Sequence, residues 1–504
     1  MRIAVVGAGI SGVAAARVLM RAGHEVVVFE RSGSVGGVWT LTYPGVRLQN
    51  TAEHYRISDF PWPFTPDLHP TGTQILRYLD AAVQHFGIEI RLAHALTAMH
   101  EVEGGWQLEL TTPDGAASER FDFVVLAVGQ YSQDQLQTAL PGQERFSGRI
   151  LGDRAVRDLD LLAGKQVVVV GFGKSAVDMA AFAADRGSQV HHLFRAPRWL
   201  LPRTMLGVHS SNMLFSRLST AFIPAWVHPN AAERLLHTRL RPLVSGFWAT
   251  ITALVRATTG LHGLHRDPAV RARMQQLIPE QSVTYQMRSA IAVAPDSYFP
   301  GVVAGRIEPV CGELAGFDER GVILGDGRTI PCDIVVTSLG CPSPRFTFMP
   351  PTYRALLEAE TDGVQLYRHL LHPRVPRVAF AGFNHSFMHV PSVEVAMLWI
   401  SALLRGDLAL PAVTEMERCM AALQAWKREH TLYEPSRSCA TNTRFHQHLD
   451  VLLGDLGLRP YRKKNPIAEL FGPYVAADYA GLFEEYERSR TTQVLPRTPL
   501  PAIN

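Results

Sequence analysis

One pattern occurs twice in the 504 residues: a short apolar strand, a glycine turn, a helix of small residues and a second strand. In the first copy Arg2–Val6 is the β-branched run that a parallel sheet buries. It leads into Gly7-Ala-Gly9-Ile-Ser11-Gly12, a helix expected over Val13–Arg21, a stop at Gly23 and a strand Glu25–Phe29 that ends at Glu30. Each residue type has a physical task. Gly7 permits the tight turn, Gly9 lets the backbone approach a pyrophosphate, and Gly12 lets the helix pack close to the strand. The helix start, with Ser11 in it, offers unpaired amides to phosphate, and a carboxylate at Glu30 is placed to accept the ribose hydroxyls of an adenosine. A GxGxxG alone is weak; with its strand, helix and acid in place it marks a dinucleotide site.

The second copy runs from strand Gln166–Val170 through Gly171-Phe-Gly173-Lys174-Ser175-Ala176 to a helix over Val177–Ala184, a stop at Gly187 and strand Gln189–Phe194. Ala176 replaces the third glycine and is small enough for the same close packing. The end of the second strand differs: Phe194-Arg195-Ala-Pro-Arg198-Trp199 carries cations and no acid. Arg195 and Arg198 suit a 2′-phosphate, which selects NADPH over NADH. Lys174 and Ser175 stand within reach of phosphate oxygens. A surface lysine is the lesser alternative for Lys174, and Arg198 and Arg203 read equally as solvated loop charges.

Downstream of Glu30 the chain reads Arg-Ser-Gly-Ser-Val-Gly36-Gly37-Val38-Trp39, a second close backbone approach before a large aromatic. Here it resembles the class B flavoprotein monooxygenases, which include N- and S-oxygenating and Baeyer–Villiger enzymes. Their FAD domain carries an acid, a GG pair and then a Trp. The likeness continues through Leu48-Gln49-Asn50-Thr51, through Ser58-Asp59-Phe60-Pro61 and, in the second copy, through GFGKSAVD. It implies FAD in the first site and NADPH in the second, with electrons passing to a flavin at the junction. It also implies that Asn50 faces the flavin and the nicotinamide ribose, as the candidate catalytic residue; an Asn that only holds a loop turn is the alternative. The aromatic loop Phe60–Phe64 serves either packing or contact with cofactor or substrate.

The expected fold is α/β, with two Rossmann-like dinucleotide-binding domains for FAD and NADPH and an inserted helical subdomain. Residues 1–150 form the first part of the FAD domain, with strands at Gly105–Leu110 and Phe121–Val128 and Gly129 closing a buried edge. Residues 151–335 form the NADPH domain, interrupted at about 206–282 by helices over Ala231–Leu240 and Leu243–Val255 that cover the active site. Residues 336–410 return to the FAD domain. There the resemblance places Gly382, after a strand from Val378, and a helix over Val393–Leu404 whose start lies near the flavin carbonyl. Residues 411–504 read as a C-terminal helical extension without assignable chemistry. The run Cys332–Gly340 parallels Phe121–Gly129 as a return strand between the domains.

One departure stands out. Where the family shows F-x-G-x-x-x-H in the linker, this chain has Phe146, Gly148 and then Gly152, followed by Asp153, which reads as solvated. That puts the Baeyer–Villiger signature in doubt and leaves the nucleotide sites untouched. Elsewhere the signals exclude more than they add. A net charge of +3 over this length does not argue for nucleic acid or an anionic membrane. Five scattered cysteines without a CxxC indicate neither structural zinc nor a redox dithiol. His191-His192 reads as a half-buried strand pair, and no metal is expected. The absence of a leader and of a membrane span points to a cytoplasmic protein; a homodimer stays open. The leading reading is oxygenation of a small molecule at N or S by O2 through a C4a-(hydro)peroxyflavin. The alternatives are Baeyer–Villiger oxidation, served by Arg47 or Arg56, an NADPH oxidase or reductase, and a flavin-binding protein without turnover.

Overall fold

The computed structural model describes residues 1–131, 139–223, 229–287, 291–432 and 438–492. Two five-stranded sheets, each wholly parallel, carry the two glycine turns. In the first the spatial order is Val378–Phe380, Phe123–Leu126, Arg2–Val6, Glu25–Phe29, Ile90–Arg91. In the second it is Ile307–Cys311, Gln189–Phe194, Gln166–Val170, Ile334–Thr337, Arg149–Gly152. The β-branched runs are uninterrupted because both faces of the strands are covered. Ile3 and Val5 join the core under the helices, while Ala4 and Val6 join a separate core on the opposite face. Val167 and Val169 divide from Val168 and Val170 in the same way. Each such fully buried Val contributes about 1.5–3 kcal/mol of transfer free energy.

Two expectations need correction here, while the expected strand from Gly105 is present as Gly105–Thr112, in an antiparallel three-stranded meander with Ala95–Val102 and Gly115–Phe121. Its own pattern says why: Trp106, Leu108 and Leu110 are buried, while Gln107 and Glu109 between them are not, as in a sheet covered on one face only. The strand before Gly129 is not an edge, because Val378–Phe380 pairs along its outer side. Helices also begin a turn earlier than expected, at Ile10, Lys174 and His389. In the first two the glycine turn itself supplies the N-cap.

The segment after residue 411 is no appendage. Phe445, Leu449, Leu452 and Leu453 of helix Phe445–Asp455 lie in the same core as Val13 and Val18. The tail also holds the inserted helices. Arg444, fully buried, donates to the carbonyls of Thr220 at 3.1 Å and Ile223 at 2.9 Å and pairs with Glu233, which also accepts from Gln447 at 2.5 Å. Arg217 makes a bidentate pair with Asp450 at 2.7 and 2.9 Å and a second pair with Glu469. Breaking one partner of a buried pair of this kind costs about 3–5 kcal/mol, so insert and tail form one covering layer. Asp153, expected in solvent, is 4% exposed. The supposed linker residues 149–152 pair as an edge strand against Ile334–Thr337, which carries Asp153 inside. Among the described residues no helix is long and apolar enough to cross a membrane.

Candidate active site

Two twelve-residue helices, Ile10–Arg21 and Lys174–Asp185, begin on the wall of one cavity of about 2140 Å³. Their N-caps, Gly9 and Gly173, have extended backbones; neither helix has a side-chain cap or an acid in its first turn. A helix start of this kind leaves N–H groups unpaired at the positive end of the peptide dipoles and receives an anion. The approach is also open. A Cβ on Gly173 would meet nothing within 4 Å, and one on Gly9 would meet only the backbone of Gly37, 3.5 Å away. Two uncapped helix starts, each open at its glycine N-cap, therefore face one space.

The flanking residues have structural tasks. Gly7 and Gly171 take φ of +110° and +120°, which side-chain-bearing residues rarely adopt. A Cβ on Gly12 would sit inside the carbonyl oxygen of Gly7, so this glycine sets helix-to-strand packing; Ala176, fully buried, holds the matching place in the second turn. Neither of these two lines the cavity. Gly7, Gly9, Ser11, Glu30, Gly37, Val38, Trp39, Asn50, Gly129 and Gly382 line its first half; Gly171, Gly173, Lys174, Ser175, Arg195 and Arg198 line the second.

Glu30 is buried at the strand end, where its carboxylate accepts from Ala8 N at 2.8 Å, Ser32 N at 2.9 Å and Ser32 Oγ at 2.8 Å. A carboxylate offers about four acceptor positions, so one stays open to the cavity. Trp39 donates its indole N–H to Tyr55 Oη at 3.0 Å. Arg195 is exposed and Arg198 half-buried, with no carboxylate at the end of their strand. Lys174 is not a free surface lysine: it pairs with buried Asp178, which also accepts from Tyr43 Oη at 2.8 Å. His192 is fully buried between Tyr298 Oη at 2.8 Å and the Gly171 carbonyl at 2.7 Å, and burial lowers its pKa to about 4. It braces the second turn from behind.

Where the halves meet, Asn50 donates through Nδ2 to the Phe387 carbonyl at 2.5 Å, and Phe387 N donates to the Asn442 carbonyl at 3.4 Å. Gln49 Oε1 accepts from Val293 N at 2.9 Å, and Thr443 Oγ1 donates to the Met287 carbonyl at 3.1 Å. Gln286, Met287, Ile291, Phe387 and Asn442, all uncharged, line the same cavity as Asn50. Of the two cations expected near it, Arg47 lines the cavity in a pair with Asp67 at 2.6 Å. Arg56 lies outside the lining, buried against Glu53 at 3.1 Å and the carbonyls of Ile57 and Ser58.

Sequence reasoning missed two wall residues. His389 opens an apolar helix, and no local pattern marks it; its Nε2 lies 2.9 Å from Ser11 Oγ, and burial lowers its pKa to about 4. Asn442 sits in the tail that carried no recognisable motif. Both become visible only when segments more than 300 residues apart are brought together.

Residues 1–243 match the family described as FMO-like, flavin-binding monooxygenase-like. A probable flavin-containing monooxygenase 1 of Arabidopsis thaliana is 28% identical over 96% of this chain and 97% of its own length. Flavin-containing monooxygenase 3 of Canis lupus familiaris is 23% identical over 91% of this chain and 83% of its own. Among solved structures, S-allyl-L-cysteine S-oxygenase from Allium sativum superposes with a TM-score of 0.62 at 18% identity, over 98% of this chain and 94% of that one. The open structure of cyclohexanone monooxygenase superposes with a TM-score of 0.66 at 18% identity, over 91% and 98%. At these identities the solved structures show a shared fold.

Proposed function

We propose that this chain, as a member of the flavin-binding monooxygenase family and an enzyme that uses FAD and NADPH, oxygenates a small uncharged molecule at nitrogen or sulfur. The balanced reaction is substrate, O2, NADPH and a proton giving the N- or S-oxide, NADP+ and water. The observation that carries this reading is the single cavity into which both uncapped glycine turns open and which Asn50 also lines.

The residues fit the two cofactors. The amides that follow Gly9, the carboxylate of Glu30 and the bare Gly37 backbone would hold FAD; the amides that follow Gly173, with Ser175, Arg195 and Arg198, would hold NADPH. The flavin, once reduced, supplies the chemistry that activates O2 and delivers one oxygen atom. The chain binds, orients and excludes water. Asn50 is fixed by its bond to the Phe387 carbonyl, which leaves its side-chain oxygen to orient groups in the cavity. Gln276, Ile278, Glu280 and Gln281 of the insert and Leu432 and Asn442 of the tail line the space, and keeping water out of it suppresses the loss of activated oxygen. A soft nucleophile needs no protein acid or base to attack an activated oxygen. Asn50→Ala tests the assignment: flavin bleaching by NADPH is expected to persist while product formation gives way to H2O2 release. Full retention of product would refute the role given to Asn50.

A further inference from the structure

Asn50 is placed by a backbone pairing. Leu48 N donates to the Pro70 carbonyl at 2.9 Å, Ala52 N to the Leu68 carbonyl at 2.9 Å, and Arg47 and Thr71 form an antiparallel bridge. The segment 47–52 thus runs against 68–71 as a short irregular ladder. Such a ladder fixes direction but leaves the Leu48–Asn50 turn room to rotate, because Gln49 and Asn50 make no backbone bond across it among those described.

His69 fills that gap from the opposite strand. Its Nδ1 lies 3.0 Å from the Asn50 carbonyl and 3.2 Å from the Leu48 carbonyl. Both partners are acceptors, so Nδ1 must carry a proton and donate to both. The ring is 9% exposed, and its Nε2 has no partner. Burial lowers its pKa, with Arg203 and His209 adding to the effect, so the ring is neutral with its single proton on Nδ1. His69 is not part of the cavity wall, so it reaches the site through the carbonyls it holds. We propose that His69 is a positioning residue: its Nδ1–H clamps the carbonyls on either side of Gln49 and thereby fixes the direction in which Asn50 enters the cavity. The inference rests on the role assigned to Asn50 above.

Three substitutions separate this from a packing role. In asparagine, Nδ2 falls near the place of His Nδ1 and can donate to the same carbonyls; glutamine carries its amide one carbon farther, and leucine fills the space without a donor. With a thioether as probe, His69→Leu is expected to keep its FAD content and its anaerobic bleaching rate by NADPH. Product per NADPH should fall by about fivefold, the weight of one ordinary buried hydrogen bond, with H2O2 making up the difference. His69→Asn should restore coupling, and His69→Gln should not. Should His69→Leu fail to fold, the contrast between Asn and Gln decides. Equal coupling in those two variants overturns the proposal, as does normal coupling in His69→Leu. Asn50→Ala, run beside them, separates the two claims: if it uncouples while His69→Leu does not, only the clamp fails, and if it stays coupled, both fail. A readout independent of turnover is the tautomer. In FAD-free protein labelled with 15N-histidine, the signal lost in His69→Asn should be that of an Nδ1–H imidazole; an Nε2–H signal overturns the clamp.

Discussion

Gly173→Ala isolates what the second glycine turn does. Gly173 has φ −84° and ψ 178°, which any L-residue adopts, and a Cβ there would meet nothing within 4 Å. The fold should therefore accept the methyl group, and because alanine narrows the unfolded ensemble, stability should rise by about 0.4–1 kcal/mol. The same methyl would stand in the open approach to the helix amides, where an anion must come within about 2.9 Å of N to bond. Losing one hydrogen bond to a charged group costs about 1.5–3 kcal/mol, or about 10-fold to 150-fold in the apparent Kd for NADPH. The assay is anaerobic bleaching of the flavin against NADPH concentration, with thermal melts and FAD content measured on the same preparation. Tighter folding with weaker NADPH binding is expected. Unchanged NADPH binding would refute the assignment of this turn to a nucleotide, and a collapse in stability would refute the reading of its surroundings as open.

Gly12→Ala should behave oppositely, since its Cβ would fall inside the Gly7 carbonyl oxygen: colourless or insoluble protein is expected, and a yellow, stable variant would contradict the packing argument. Arg195→Ala should raise KM for NADPH by about tenfold, as for the loss of one charge-assisted contact, and leave NADH nearly unaffected; equal effects would remove the 2′-phosphate assignment. Acid should destabilise the chain early. Burial lowers the pKa of His54 to about 3, of His192 and His389 to about 4 and of His448 to about 3. Folded-state values below the ordinary 6.5 mean stability that is complete above pH 6.5 and lost as pH falls toward 4, by about 1.4 kcal/mol per pH unit for each such histidine. Burial raises Glu394 to about 7, and raises Glu308, Asp450 and Asp455 as well, which has the opposite sign, with stability lost as pH rises, but the histidines lowered by burial outnumber these acids. Melting temperatures flat between pH 7.5 and 5 would contradict this.

The parts of the molecule legible in the sequence are those whose physics is local. A β-branched strand, a glycine turn and a small-residue helix announce themselves within thirty residues, and that spacing was enough to find both seats and the acid-versus-arginine difference between them. What stayed hidden depends on distance along the chain. The strand from Gly105 is legible while its partner strands are not, because alternation reports exposure and not the partner strand. No sequence pattern marks Arg444 or Arg217, which the fold sets against Glu233 and Asp450. His389 meets Ser11 across 378 residues, and Asn442 reaches the cavity from a segment with no motif. Asp153 was read as solvated because the edge strand that carries it inward has only four residues.

The central claim is that oxygen from O2 ends on a soft nucleophile at the cost of NADPH. It is tested most directly by turning the purified yellow protein over with NADPH, a thioether or tertiary amine and 18O2, then measuring the label in product against NADPH consumed. The account predicts one 18O atom in each molecule of S- or N-oxide, with product approaching the NADPH used. Product oxygen drawn from water, or NADPH converted wholly to H2O2 whichever nucleophile is offered, would contradict it.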